Sequence, residues 1–228
     1  MPDLNELTLP PVPRIADGGP IDLGLFARTP LSRDPFDFLV VPGFVPRAIA
    51  EAAAATFPAA DFHGVLPAPR GDQKNAFDDL LHALREPVVT EAFAAKFGLD
   101  LSMDTLMITL RARTRLCDGT IHNDSETKRV TALIYLNADW DDAGGRLRLL
   151  RGPNDIDDMV AEVPPEAGTL IAFRRSDRSW HGHKPYEGTR RAVMLNWMVS
   201  ATAARRELRR HAITAGFKRL FGSREKTR

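Results

Sequence analysis

The second half of the chain alternates short apolar runs with turn-forming residues. Five such runs are separated by Gly, Asp, Asn and Pro; they cover residues 103–116, 128–140, 145–152, 167–175 and 190–200. Apolar or alternating runs of this length, rich in β-branched and aromatic residues, predict strands. Because no helical pattern of crossover length separates the runs, they favour an antiparallel sandwich or barrel over a parallel sheet.

The first hundred residues have a different pattern. The run Phe-Asp-Phe-Leu-Val-Val-Pro-Gly-Phe at 36–44 predicts a strand closed by a turn, and Pro46 can begin a helix that continues to Thr56. Between Lys74 and Phe97 apolar residues recur every three or four positions, which predicts two short helices broken near Pro87. We expect these helices to pack on one face of the sheet.

A length of 228 residues suits one domain in three parts. We expect residues 1–100 to be an N-terminal extension with supporting helices of the same domain, and residues 101–200 to be the β-rich core that would carry any active site. Residues 201–228 would then form a basic C-terminal helix or tail. The parts predicted to surround the mouth of a site are residues 1–100, the loop 153–166 and the tail.

Composition narrows the class of protein. With 31 Lys plus Arg against 30 Asp plus Glu, the chain is not a globally basic nucleic-acid binder. Its one cysteine, Cys117, excludes an internal disulfide framework and a thiolate zinc finger, and it suits a reducing compartment, so we expect a cytoplasmic location. No run of about 18 apolar residues occurs, so we expect no membrane span.

Charge is concentrated at the C-terminus. Between Arg205 and Arg228 there are nine Lys or Arg residues and two Glu residues, on a pattern typical of a helix. The favoured interpretation is a docked terminal helix with a solvated basic end. The alternative is that this basic tail contacts an acidic partner or a membrane surface.

Metal chemistry is suggested by two polar segments. His122 and Asp124 are two positions apart before a predicted strand, and alternate strand residues point to the same side. A second segment, 176–183, lies between two predicted strands and contains His181 and His183. Two His and one carboxylate on one face of an ion leave three positions open, the arrangement that suits a non-haem Fe(II) oxygenase.

The ordered set of motifs resembles a known family. His-Asn-Asp at 122–124, the strand 130–140, the Gly pair at 144–145, the segment 168–185 and the strand 188–197 together resemble the Fe(II)/2-oxoglutarate-dependent dioxygenases, in the prolyl-4-hydroxylase-like branch. The resemblance spans about residues 100 to 200. It implies a mainly β fold with flanking helices, whose core is a double-stranded β-helix (jelly-roll, cupin-like) with the N-terminal helices packed on one sheet. It also implies Fe(II), 2-oxoglutarate and O2 as cofactors, with ascorbate as an optional reductant.

Carried onto this sequence, the resemblance implies that His122, Asp124 and His181 are the catalytic iron ligands. His183 is the alternative to His181. The family pattern places a proline four residues after the ligand, as Pro185 is here, and this spacing favours His181.

The resemblance further implies groups that bind the cosubstrate. A basic residue nine or ten positions after the distal His pairs with the far carboxylate of 2-oxoglutarate, and Arg190 and Arg191 both fit. If the strand directs Arg191 inward together with Val193, then Arg190 faces outward, so the prediction is Arg191 with Arg190 as the alternative. Tyr135 occupies the position of a tyrosine whose hydroxyl contacts the cosubstrate in related hydroxylases.

The predicted function is therefore hydroxylation of a C–H bond with release of succinate and CO2. The substrate is a peptide, such as a prolyl peptide, or a small molecule, and the sequence does not discriminate between them. Two alternatives belong to other classes: a cupin-like metal-binding module without oxygenase activity, and a zinc-type hydrolase with a metal-bound water. A zinc hydrolase would need a general base nearby and no buried Arg on the last strands.

Overall fold

The computed structural model describes residues 19–58 and 62–221, with side chains as far as Ile213. Its helices are α1 (Leu23–Arg28), α2 (Arg47–Ala55), α3 (Ala76–Leu84), α4 (Pro87–Phe97) and α5 (Ala201–Phe221). Its strands are β1 (Phe38–Val41), β2 (Leu66–Pro67), β3 (Leu106–Thr114), β4 (Lys128–Tyr135), β5 (Leu147–Leu150), β6 (Met159–Val163), β7 (Leu170–Arg174), β8 (His181–Gly182) and β9 (Gly188–Met198).

The strands form two antiparallel sheets. The major sheet has six strands in the order β1-β7-β4-β9-β3-β2, and the minor sheet has three in the order β6-β5-β8. Apolar side chains of both sheets pack between them, among them Leu133, Phe173 and Leu149. The chain returns repeatedly from one sheet to the other, which makes the core a double-stranded β-helix, as predicted.

A single residue pair extends the edge of the minor sheet. His122 N donates to His181 O at 3.0 Å, and His181 N donates to His122 O at 2.9 Å. This isolated antiparallel bridge lies beside β8 and takes the place of a fourth strand. It fixes the segment around residue 122 against the segment around residue 181.

Helices cover the outer face of the major sheet. Phe77, Leu80 and Leu84 of α3 and Val89 and Phe93 of α4 belong to one apolar core with side chains of β4, β7 and β9. The Phe93 ring packs against that of Trp197 with centroids 4.5 Å apart, and Trp197 Nε1 donates to Thr90 Oγ1 at 3.1 Å. The prediction that the N-terminal helices pack on one sheet is confirmed.

Local signals explain where these helices begin and end. Asn75 caps α3 by accepting a hydrogen bond from the backbone N–H of Asp78. Pro87 stands in the first turn of α4, where its missing N–H costs nothing. Gly98 follows α4 in the left-handed conformation. The predicted break near Pro87 is therefore confirmed.

Three strands were not predicted. Residues 153–166 were expected to be a loop, but Met159–Val163 within them is β6, which pairs with β5. Its residues are mostly half-buried and follow the acidic stretch 155–158, so no clear alternation marks the strand. β2 and β8 have two residues each, too few to leave a periodic signal.

The C-terminal helix docks through its first turns. Ala204 and Leu208 pack against Met107 and Met198, so the predicted terminal helix is confirmed as far as the side chains are described. Residues 222–228, which contain three of the nine basic residues of the tail, lie outside the described residues, as do residues 1–18 and 59–61. None of the helices in the described ranges combines the length and the apolar content that crossing a membrane requires.

Candidate active site

The inner face of the major sheet carries three rows of side chains, set by the register of β4, β9 and β3. The rows are Thr131, Asn196 and Met107; Leu133, Met194 and Thr109; and Tyr135, Ala192 and Arg111. Thr131 and Tyr135 are four residues apart on one strand, so the outer rows are separated by about 13 Å. The candidate metal ligands lie at the Thr131 end of this surface.

The two bridged histidines present the same ring nitrogen to the site. The Nδ1 of His122 lies 2.8 Å from Thr120 O, and the Nδ1 of His181 lies 2.8 Å from Ser179 O. A carbonyl oxygen only accepts, so each Nδ1 must carry the proton and each Nε2 keeps a lone pair. Both rings are therefore set to bind a metal through Nε2.

An unusual backbone conformation places the Asp124 carboxylate on the same side as the two histidine rings. Its φ is +64°, a left-handed value that Asp tolerates better than most residues. Lys128 Nζ donates to Asp124 Oδ1 and Thr131 Oγ1 donates to Asp124 Oδ2, both at 2.8 Å. Each carboxylate oxygen thus has a fixed orientation.

The electrostatic environment keeps Asp124 and His181 in the protonation states that bind a metal. Burial alone would raise the pKa of Asp124, but the Lys128 ammonium, His181 and the hydrogen bonds from Lys128 and Thr131 outweigh it and lower the pKa to about 2. Burial lowers the pKa of His181 to about 4. At neutral pH Asp124 is therefore a carboxylate and His181 is neutral.

The three predicted ligands come together in the structure. One ligand atom from each of His122, Asp124 and His181 lies within 4.8 Å of the others, and no other such group occurs in the described ranges. Two imidazole nitrogens with free lone pairs and one ionised carboxylate are the donor set that a non-haem Fe(II) ion takes. The residues present therefore fit the metal that the resemblance implies.

Replacing Thr131 by Val should weaken metal binding by about 10- to 100-fold, because it removes a hydrogen bond that orients a ligand while keeping the side-chain shape. Thr114→Val is the matched control, since the buried Thr114 hydroxyl has no hydrogen-bond partner among the described residues. Fe(II) affinity of both variants can be measured by competition with a chelator. Equal affinities in the two variants would contradict the orienting role of Thr131.

A cavity of about 630 Å³ extends from the ligands along the inner face of the major sheet. At its far end lies Arg190, which is only 2% exposed. Arg190 Nε donates to Gly145 O at 2.7 Å, and its Nη2 donates to the Tyr135 hydroxyl at 3.2 Å. Because the Tyr135 oxygen accepts this bond, its own proton remains available to another acceptor. Burial raises the pKa of Tyr135, so the hydroxyl keeps that proton.

The predicted phase of β9 is wrong. Arg190, not Arg191, lines the cavity. Arg191 lies on the opposite face of β9, the face whose Val193 and Leu195 join the core beneath the helices. Both faces of β9 are apolar because each packs against another layer, so hydrophobicity could not tell which face borders the site.

His183 lies within the cavity wall but outside the ligand group. It is 5% exposed, and its Nδ1 lies 2.8 Å from the carbonyl of Lys184. Its ring packs so closely on Gly119 that a Cβ at that position would lie 2.3 Å from the ring. Burial, and then Arg190, lower the pKa of His183 to about 4, so the ring is neutral.

Of the three segments predicted to surround the mouth of the cavity, only two contribute lining residues in the described part of the chain. The basic helix α5 contributes Glu207, Arg210 and His211, and the N-terminal third contributes Val65. Among the lining residues none comes from the loop 153–166. Asp157 of that loop instead pairs with Arg148 and Lys184.

The sequence analysis missed several residues of the site. Lys128 and Thr131 donate hydrogen bonds to Asp124. The sequence offered only one indication of this, their position four and seven residues after Asp124. Gly145 was expected only to form a bend; its carbonyl also orients Arg190, and its φ of +71° is one that glycine adopts without strain. Arg111 of β3 also lines the cavity. In the sequence this was indicated only by its spacing from Met107 and Thr109, since alternate residues of a strand share one face.

Comparisons with known proteins agree with the geometry of this site. Residues 112–199 match the family model of the 2OG-Fe(II) oxygenase superfamily, where 2OG is 2-oxoglutarate. A search of the curated proteins found no matching sequence.

Solved structures with this fold include several oxygenases. A prolyl-4-hydroxylase from Pseudomonas putida is 21% identical over 77% of this chain and 92% of that chain, with a TM-score of 0.55. A prolyl 4-hydroxylase from Phytophthora capsici is 18% identical over 75% of this chain and 61% of that chain, with a TM-score of 0.54. HygX from Streptomyces hygroscopicus, solved with nickel and 2-oxoglutarate bound, is 13% identical over 71% of this chain and 81% of that chain, with a TM-score of 0.50.

The superfamily is named for its two cofactors, Fe(II) and 2-oxoglutarate, and uses them with O2. The match covers His122, Asp124 and His181 together with Tyr135 and Arg190. Residues 112–199 of this chain are therefore similar in sequence to the 2OG-Fe(II) oxygenase superfamily, and the described residues share the fold of the solved oxygenases.

Proposed function

We propose that this chain hydroxylates a C–H bond of an organic substrate, with His122, Asp124 and His181 as the Fe(II) ligands. The observation that carries the proposal is the pairing of two groups in one cavity: a His-Asp-His cluster at one end and the buried Arg190 at the other. Arg190 and Tyr135 would hold the distal carboxylate of 2-oxoglutarate. Their planar guanidinium and free hydroxyl proton are suitable donors to a carboxylate.

Each residue has a defined task. Fe(II), when bound with 2-oxoglutarate and O2, supplies the oxidation in which one oxygen atom enters the substrate and the other enters succinate, with loss of CO2. Asp124 and the two histidines would hold the ion, Lys128 and Thr131 keep Asp124 in place, and Arg190 with Tyr135 would orient the cosubstrate. The apolar side chains of Leu133, Leu147 and Met194 line the cavity between the two ends and limit the access of water.

The two alternative functions fit the cavity less well. A zinc hydrolase needs a general base beside the metal, but Asp118 is bonded to Arg115, and Glu207 is paired with Arg210 and His211. The Nε2 of His183 has no hydrogen-bond partner among the described residues, but His183 lies outside the group of candidate ligands. A metal-binding module without oxygenase activity has no need of a buried Arg190. Peptidyl proline remains a candidate substrate because two of the structural neighbours are named prolyl hydroxylases.

Anaerobic titration tests the proposal. Adding Fe(II) and then 2-oxoglutarate to the metal-free protein should produce the weak visible charge-transfer band of a chelated 2-oxo acid. Zn(II), with its filled d shell, should give no band and serves as the blank. Tight binding of Zn(II), with no band from Fe(II) and 2-oxoglutarate at millimolar concentration, would reject the dioxygenase assignment and favour the hydrolase.

We also propose a cytoplasmic location and an acidic partner for the basic C-terminal tail. The support for the location is the single exposed thiol, Cys117, and the need to keep iron in the Fe(II) state, both of which suit a reducing compartment. The support for the partner is the excess of Lys and Arg after residue 205.

A further inference from the structure

The cavity contains a second guanidinium for which the chemistry described above has no use. Arg111 lies in the same row as Tyr135 and Ala192, on the neighbouring strand β3, and it lines the cavity. The small side chain of Ala192 separates it from Tyr135. Two arginines, Arg190 and Arg111, therefore border the same end of one cavity.

Among the residues that the structure describes, Arg111 has no ion-pair partner. Its side chain makes no hydrogen bond or ion pair with the residues that the structure describes, and its Nε is sealed from solvent. Asp118 lines the same cavity, but its carboxylate accepts hydrogen bonds from the backbone N–H and the Nη2 of Arg115. An unpaired cation in such a place costs free energy unless a ligand completes it.

The electrostatics of the neighbouring groups agree with this geometry. Burial, and then the charge of Arg190, lower the pKa of Arg111. The Asp118 carboxylate and Tyr135 act in the opposite direction, but among the described residues neither makes an ion pair with Arg111. The pair Arg190 and Arg111 therefore leaves room for two negative charges.

The distal carboxylate of 2-oxoglutarate supplies only one of these charges. Arg190 is oriented towards that role by Gly145 and Tyr135 on its own side of the cavity. Arg111 extends from β3, whose cavity-facing residues Met107 and Thr109 lead back towards the metal end. The second charge must therefore come from another molecule, and the primary substrate is the one that shares this cavity.

We propose that Arg111 binds a carboxylate of the primary substrate, so that the enzyme acts on a small carboxylic acid such as a free amino acid. This inference rests on the proposed function. One unpaired cation matches one negative charge, which favours a carboxylate over a phosphate dianion. The Arg111 row is about 13 Å along the strands from the Thr131 row, and the long side chain covers part of that span. A substrate whose carboxylate lies a few bonds from the carbon that is oxidised fits the remaining distance between the Arg111 guanidinium and the metal end of the cavity.

The test uses the full chain loaded with Fe(II) and 2-oxoglutarate. The probes are the proteinogenic L-amino acids and glutarate, each compared with its own amide, and a proline-containing tripeptide blocked at both ends. The readout is the increase in succinate formation on adding each probe. We expect at least one acid to stimulate turnover and its amide to be at least tenfold weaker.

Variants of Arg111 identify the group responsible. Arg111→Met should lower kcat/KM for the stimulating acid by at least about thirtyfold, the loss typical of a truncated buried charge pair, and should leave the KM for 2-oxoglutarate within twofold. Arg111→Lys should restore part of the activity, which shows that the charge matters, and an unchanged KM for 2-oxoglutarate shows that Arg111→Met folds. Arg113→Met is the control, because Arg113 lies on the same strand but not in the cavity wall.

Three results would overturn the proposal. Stimulation by the blocked peptide or the amides that equals or exceeds that by the acids would mean that the substrate needs no carboxylate. A panel in which no acid stimulates turnover more than its amide contradicts the expected result and would also overturn the proposal. A parallel rise in the KM for 2-oxoglutarate in Arg111→Met and Arg190→Met would show that both arginines bind the cosubstrate. If the charge-transfer band itself fails to form, the proposed function fails first, and the two failures are thereby distinguished.

Discussion

Asp124→Ala should reduce iron-dependent succinate formation by more than about 100-fold, the upper end of the loss seen when groups that merely orient a ligand are removed. The substitution takes away the one carboxylate of the His-Asp-His cluster and leaves two histidines to hold the ion. It also leaves the Lys128 ammonium beside the site without its partner. Iron content after gel filtration and succinate yield measure the effect.

Two further variants make this result specific. Asp124→Asn keeps the shape of the side chain and should also fail to retain iron, which separates the loss of charge from a loss of packing. Asp177→Asn removes an exposed carboxylate near the same loop and should retain full activity. Iron retention by Asp124→Ala equal to that of the wild type would exclude Asp124 as a ligand.

Arg190→Met should raise the dissociation constant of 2-oxoglutarate by at least about thirtyfold, because a truncated buried charge pair typically costs 2–5 kcal/mol. Arg191→Met should change it by less than twofold, since Arg191 lies on the other face of β9. Tyr135→Phe removes one neutral hydrogen-bond donor and should weaken binding only a few-fold. Titration of the charge-transfer band with 2-oxoglutarate measures all three.

The stability of the Arg190 variant needs its own control. Arg190→Met leaves Gly145 O and the Tyr135 hydroxyl without their donor, so its melting temperature must be compared with that of Arg190→Lys. If Arg191→Met weakens 2-oxoglutarate binding and Arg190→Met does not, the role given to Arg190 is wrong. The same result would restore the assignment made from sequence.

The parts of the fold that depend on local pattern could be predicted from sequence. The break at Pro87 and the strands β3, β4, β5, β7 and β9 follow from turn residues and apolar periodicity, which act over a few residues. β6 could not be predicted, because its half-buried residues at the edge of a sheet lack a clear alternation. The bridge between His122 and His181 joins segments 59 residues apart, and only the folded chain brings them into contact.

The candidate site, like the fold, could be predicted only where local sequence patterns determine it. The residue types of the metal ligands and their order along the chain were visible, but the face of β9 that borders the cavity was not, because both faces are buried. Lys128 and Thr131 were recognisable only after Asp124 had a position. In the sequence, nothing apart from its position on β3 marks Arg111 as a residue of the cavity. The role proposed for it depends on the absence of an ion-pair partner among the described residues.

The residues that line the cavity divide at the boundaries of the matched segment. The His-Asp-His cluster and Arg190 lie inside residues 112–199, whereas Arg111, Thr109 and the three side chains of α5 lie outside them. Under the two proposals, the groups assigned to the oxidation and Arg111, the group assigned to substrate binding, are therefore encoded by different stretches of the gene. Mutation in the outer stretches can change what is oxidised while the oxidising machinery is inherited intact, and that separation would allow one scaffold to acquire new substrates.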